Sequence, residues 1–208
     1  QRFGIPIRSH RAGRWAMNKS YASMLVDLGV EVDCSVTPGV NWSETKGAPN
    51  GVPGPDFSNA PVKPYWMDID CNNESPDSRL LQVPMTISSC QSGFVSGMNR
   101  AMSAARLNLM RRAANRVFPL NQWLRPNGRN VKSMKRLVSD AVSNGNPCVE
   151  FMLHSSELMP GGSPRFATSN SIEKLYSHLD ELFDYASCCC GGVTLSEFSD
   201  LYTAQNRS

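Results

Sequence analysis

The chain has 208 residues, 40% apolar and 19% charged, enough for one domain with a sizeable core. Its 21 basic and 18 acidic residues leave a net charge of +3, which gives no footprint for nucleic-acid binding. No apolar run approaches the roughly 18 residues that span a bilayer.

The opening Gln1-Arg2-Phe3-Gly4-Ile5-Pro6-Ile7 is neither a signal peptide nor an initiator methionine. It reads as a chain that opens inside or just before a strand, so we expect a fragment with its upstream elements missing. Residues Phe3 to Ser9 alternate as a strand does. Met17, Tyr21, Met24, Leu25 and Leu28 share a helical face that Gly29 stops, and Val30 to Val36 is the next strand. Together these predict a βαβ unit.

Between residues 37 and 63, nine prolines and glycines interrupt any regular element. Trp42, Phe57, Tyr65 and Trp66 lie in or beside this long loop, and either stack on sugar faces or pin the loop to the fold. Leu80 to Ile87 predicts a strand with a bulge or edge at Pro84. Residues 98–118 read as a helix carrying Arg100, Arg106, Arg111, Arg112 and Arg116, either a solvated outer face or a patch for an anionic polymer. Gln122 to Pro126 is a short strand or turn. A helix with Val131, Met134, Leu137, Val138, Ala141 and Val142 on one face, stopped by Gly145, follows.

Cys148-Val149-Glu150-Phe151-Met152-Leu153-His154 is an apolar run that ends on a histidine and enters a Gly/Pro loop. It predicts a buried strand delivering an imidazole, a group able to give or take a proton near neutrality. The strongest amphipathic pattern, Ile172 to Ala186, comes next, with His178 off its apolar face. A last helix begins at Thr194, which stands at capping-box spacing from Glu197. The seven cysteines are odd in number and include no C-x-x-C pair. Unpaired thiols favour a reducing, cytoplasmic setting. The triplet Cys188-Cys189-Cys190 is either a plain helix end or a metal or redox site. Strands alternating with helices predict an α/β fold in a single domain over residues 1–208.

Two segments carry candidate chemistry. One is His154 at its strand end. The other is Ser9-His10-Arg11-Ala12-Gly13-Arg14-Trp15, where two arginine forks flank a glycine; such forks hold a carboxylate bidentately and keep it ionised.

In order, Arg11-Ala12-Gly13-Arg14-Trp15, Val32 to Pro38, Leu80 to Thr86, Leu124-Arg125-Pro126 and Leu153-His154-Ser155-Ser156-Glu157-Leu158 resemble the C-terminal two-thirds of a polysaccharide deacetylase-like protein of the NodB-homology (carbohydrate esterase) superfamily. The resemblance implies a distorted (β/α) barrel, here without its first strands. It implies a metal-dependent hydrolase, acting on C–N bonds other than peptide bonds, that removes acetyl groups from a sugar or polysaccharide. The divalent metal, commonly zinc, is implied to be held by an upstream carboxylate pair and histidine pair that this chain lacks, so none of its own residues is assigned as a ligand. Arg11 matches the arginine that orients the catalytic carboxylate, and His154 the general acid. Asp33 is expected to hold His154, with Asp68 and Asp70 as rivals. Trp15, Arg14, Trp42 and Glu157 are the expected substrate-facing residues. Two other readings stand beside the enzyme: a catalytically inactive carbohydrate-binding relative, and an anionic-polymer binder working through the 98–118 arginines.

Overall fold

A computed structural model of the chain describes residues 4–47, 50–67, 69, 80–89 and 121–206. The expected arginine-rich helix over 98–118, Cys71, Cys90, Asp68 and Asp70 lie outside the described residues. What is described is a mixed α/β arrangement built on a four-stranded sheet in the order β1-β2-β4-β3. Strands β1 (Ser9–His10), β2 (Val32–Asp33) and β4 (Leu80–Gln82) are mutually parallel, and β3 (Tyr65–Met67) runs antiparallel along β4. A second ladder pairs β5 (Ile87–Ser89) with β6 (Asn121–Trp123), antiparallel.

The two ladders are consecutive parts of one bent path. Met85 N–H donates to the Val36 carbonyl and Leu124 N–H to the Thr86 carbonyl, and Met152 N–H donates in turn to the Leu124 carbonyl. Pro84, which has no N–H, interrupts the ladder just before the chain changes partner between Met85 and Thr86, so the single strand expected over 80–87 is two short ones. The path is open: among the described residues the strands do not close into a barrel. The segment ending at His154 is joined to this path, yet among the described residues only its Met152 makes a backbone bond to the neighbouring strand path, so it is an arm and not a laddered strand. At the start, ladder pairing is confined to Ser9 and His10, and Ile5 and Ile7 are about 70% exposed.

The expected βαβ unit is present as β1, helix α1 (Lys19–Asp27) and β2. Asn18 caps α1 by accepting from Tyr21 N–H. The buried side is Ala22 and Leu25, packed with Met17, Val30 and Leu80; Met24 and Leu28, expected on that face, are exposed. On the second ladder, α2 (Val131–Ser143) buries Met134, Leu137, Val138 and Ala141, while Val131 is half-buried and Val142, expected on the same face, is exposed. Helix α3 (Ser169–Ser187) packs against α2 through Leu182 and against Phe166 through Ile172, Leu175 and Leu179. Its apolar stripe is narrower than the sequence pattern, since Tyr176 and Phe183 are exposed, and His178 is half-buried, not plain surface.

Helix α4 (Leu195–Gln205) starts with the expected capping box: Thr194 accepts from Glu197 N–H, and the Glu197 carboxylate accepts from Thr194 N–H. It lays Phe198 on Val32, Cys34, Leu81 and Val83, and Asp200 pairs with Arg8 at 2.5 Å. Among the described residues, no helix is long and apolar enough to cross a membrane.

Candidate functional site

Asp33 lies at the centre of a buried polar network. It is fully buried on β2, opposite His10 on β1. One carboxylate oxygen takes the His10 ring at Nδ1 (2.8 Å) and the Ser35 hydroxyl (2.7 Å), and the other accepts Ser35 N–H (2.8 Å). The far ring nitrogen of His10 is 3.0 Å from the Tyr21 hydroxyl. The Ser35 oxygen accepts Ala12 N–H at 2.7 Å, so Asp33 fixes, through Ser35, the backbone beside Arg11. The expected Asp33–His154 pair is therefore replaced by Asp33–His10. The reason is register: His10 and Asp33 are direct neighbours on parallel strands.

The corner that follows is strained. Arg14 and Trp15 both have positive φ (55° and 61°), a region that side chains with a Cβ avoid at a cost of about 1–3 kcal/mol each. The turn aims Trp15 inward while Arg14 is exposed and donates to the Gly47 carbonyl of the long loop at 3.2 Å. Arg14 thus tethers the long loop.

Arg11 makes three contacts. It ion-pairs with Glu150 on the arm that ends at His154, it donates through Nε to Cys34 Sγ at 3.2 Å, and its guanidinium lies 5.6 Å from the Trp15 ring centroid. Glu150 is 8% exposed and its second oxygen is buried without a protein partner. Trp15 leans on Trp123 at 5.7 Å between centroids, and Trp123 meets Trp42 edge-on at 6.4 Å. Trp42 is held by its indole N–H donating to Thr37 Oγ1 (2.8 Å). Gly54 passes so close to it that an added Cβ would stand 2.5 Å from the Trp42 carbonyl oxygen. The long loop is therefore pinned, and its tryptophan is part of an aromatic wall.

From Trp123 the contacts continue to the arm. Two residues on, Arg125 pairs with Glu157 at 2.9 Å. The other Glu157 oxygen accepts His154 N–H at 3.1 Å, and Glu157 N–H donates to the His154 carbonyl at 2.9 Å. Glu157 is 2% exposed, and these bonds make it the residue that positions the His154 turn. The His154 side chain itself is exposed.

Burial alone would raise the Glu157 pKa. The His154 N–H and the Arg125 guanidinium outweigh it and hold the carboxyl below its ordinary value. Because the folded pKa is depressed, the stabilisation is fully present above the unfolded pKa of 4.5 and is lost as pH falls from there through the lower folded pKa. Glu157→Gln is expected to cost about 1.5–3 kcal/mol at neutral pH and to flatten the acid limb below pH ~4.5 in denaturant midpoints measured across pH. An unchanged acid limb would remove this pair from the account.

Four members of this arrangement are absent from the sequence reading of the site: Glu150, Trp123, Arg125 and His10 as the Asp33 partner. Glu150 had a usable signal, since a carboxylate inside an otherwise apolar run is costly to bury without a cation. Among the described residues, no group of three or more His, Cys, Asp or Glu side chains is placed to hold a metal ion. These residues do not by themselves fit the divalent metal that the resemblance implies. Comparison of the chain with family models, with curated proteins and with solved structures finds no match.

Proposed function

We propose that the chain is the sugar-facing part of a hydrolase that removes N-acetyl groups from a sugar or polysaccharide, the metal-binding part lying outside it. The observation that carries this reading is the line of contacts from Arg11 through Trp15 to Trp123, continued two residues along the chain by Arg125, which pairs with Glu157 beside the backbone of His154. Amphipathic ring faces suit the C–H faces of a pyranose. An exposed imidazole at the end of a fixed arm suits proton delivery to a leaving amine nitrogen. In this reading the Trp15–Trp123 wall binds the sugar, Arg11 orients the Glu150 carboxylate, and His154 protonates the departing nitrogen.

A second reading, a binding relative without catalysis, draws on two observations. Arg11 is already occupied by Glu150, and Asp33 is bonded to His10 and leaves His154 without its expected partner.

Titration with an N-acetylated chito-oligosaccharide tests what both readings share. Tryptophan emission is expected to shift, and the shift to disappear in Trp15→Ala. No response, or an equal response to the fully deacetylated oligomer, contradicts the proposal.

A further inference from the structure

We propose that Cys189 and Cys190 form an S-acylation site whose medium-chain acyl group lodges in the apolar cleft between α2, α3 and the arm residues Val149–Phe151. Three separate features meet there. The first is the thiol pair. Helix α3 ends in three consecutive cysteines, and the Sγ atoms of Cys189 and Cys190 are 3.8 Å apart. Cys188 and Cys189 are exposed and Cys190 is half-buried. Both exposed thiols lie against carbonyls of the last helical turn, Cys188 on Asp184 at 3.3 Å and Cys189 on Ala186 at 3.5 Å, and the short Sγ–Sγ approach is what makes Cys189 and Cys190 the facing pair.

The second is the cleft. It holds about 240 Å³ and is lined by Leu124, Val138, Val149, Phe151 and Leu182, with Cys190 on its wall. An apolar cavity of roughly 150 Å³ already admits benzene, so this space accepts a flexible alkyl chain of medium length. The third is room at the entry: Gly191 and Gly192 follow directly, and an added Cβ at either would meet nothing within 4 Å. Cysteines on an amphipathic helix are recurrent acceptors of thioester-linked chains.

The chemistry balances without an oxidant. The exposed Cys189 Sγ attacks the carbonyl carbon of an acyl-CoA thioester. The new sulfur–carbon bond forms as the CoA sulfur–carbon bond breaks, and CoA leaves as its thiol with the Cys189 proton. Cys190 Sγ then attacks the same carbonyl. The Cys189–acyl bond breaks, Cys189 recovers a proton from Cys190, and the chain enters the cleft. Cys189 is exposed while Cys190 is half-buried on the cleft wall, where burial also raises its pKa, so Cys190 is the less accessible first nucleophile. That is why the exposed neighbour loads first.

The test incubates the purified chain with octanoyl-CoA and maps the adduct by intact-mass and peptide mass spectrometry, with release by neutral hydroxylamine. The expected product is one octanoyl group on Cys190. Cys189→Ser is expected to slow its appearance by about tenfold or more, because the relay becomes a direct bimolecular step. Cys190→Ser is expected to leave the label on Cys189, and Cys188→Ser to change nothing. Ala186→Phe fills the cleft from its α3 wall without replacing either thiol and should also strand the label on Cys189. Label spread evenly over Cys188, Cys189 and Cys148, or unchanged loading of Cys190 in Ala186→Phe, overturns the proposal.

Discussion

Asp33→Ala is expected to lower the stability of the protein by about 3–5 kcal/mol, the cost of breaking a buried charged network by removing one partner. Asp33 has no exposed surface, and three donors converge on its two oxygens. Its removal leaves Ser35 N–H without an acceptor in a dry environment and frees the His10 ring between two strands. The damage travels further, because Ser35 Oγ also accepts Ala12 N–H and so sets the strained turn that carries Arg11 and Trp15. Asp33→Asn, which keeps one acceptor oxygen, should recover part of the loss. Equilibrium urea unfolding of the three proteins decides the matter. A loss under about 1 kcal/mol for the alanine variant would mean that the network is wet or not formed.

His154→Ala carries the largest expected effect on activity. In a protein that includes the metal-binding part, removal of a general acid is expected to lower kcat for N-deacetylation by about 10²–10⁴. Oligosaccharide binding should survive, since the Trp15–Trp123 wall is built from other segments. The structure of the arm should survive as well: the imidazole is exposed, and the turn is held by the His154 backbone and Glu157. This separation is what makes the result informative. Unchanged deacetylation would refute the acid assignment, and intact binding with no activity in the wild-type protein would favour the binding relative.

The fold was legible where local rules decide it. The βαβ order, the α2 face at Met134, Leu137, Val138 and Ala141, and the Thr194–Glu197 capping box all follow from spacing and end chemistry within a few residues. What spacing could not settle was which neighbour a strand faces. Leu80 to Ile87 reads as one strand in sequence. The change of partner at Pro84 depends on where β6 lies, a contact about forty residues distant in the chain.

The site divides the same way. Arg11, Trp15 and His154 could be singled out because guanidinium, indole and imidazole announce their chemistry. Their partners could not. Glu150 belongs to Arg11 only because the arm crosses the end of β1, and Trp123 joins the wall only because β6 brings it beside Trp15. Asp33 was expected to reach across to His154, whereas the parallel register supplied a nearer histidine on the adjacent strand.

The proposed site requires the Arg11 corner and the His154 arm to be one physical unit, and the Arg11–Glu150 pair joins them. A double-mutant cycle on unfolding free energy, with Arg11→Ala, Glu150→Ala and the double variant, measures that link directly. Arg11 is partly exposed, so solvent screening reduces the coupling, which is expected at about 1–2 kcal/mol. Additivity within about 0.5 kcal/mol would show that the two segments do not meet in solution and would contradict the site as described.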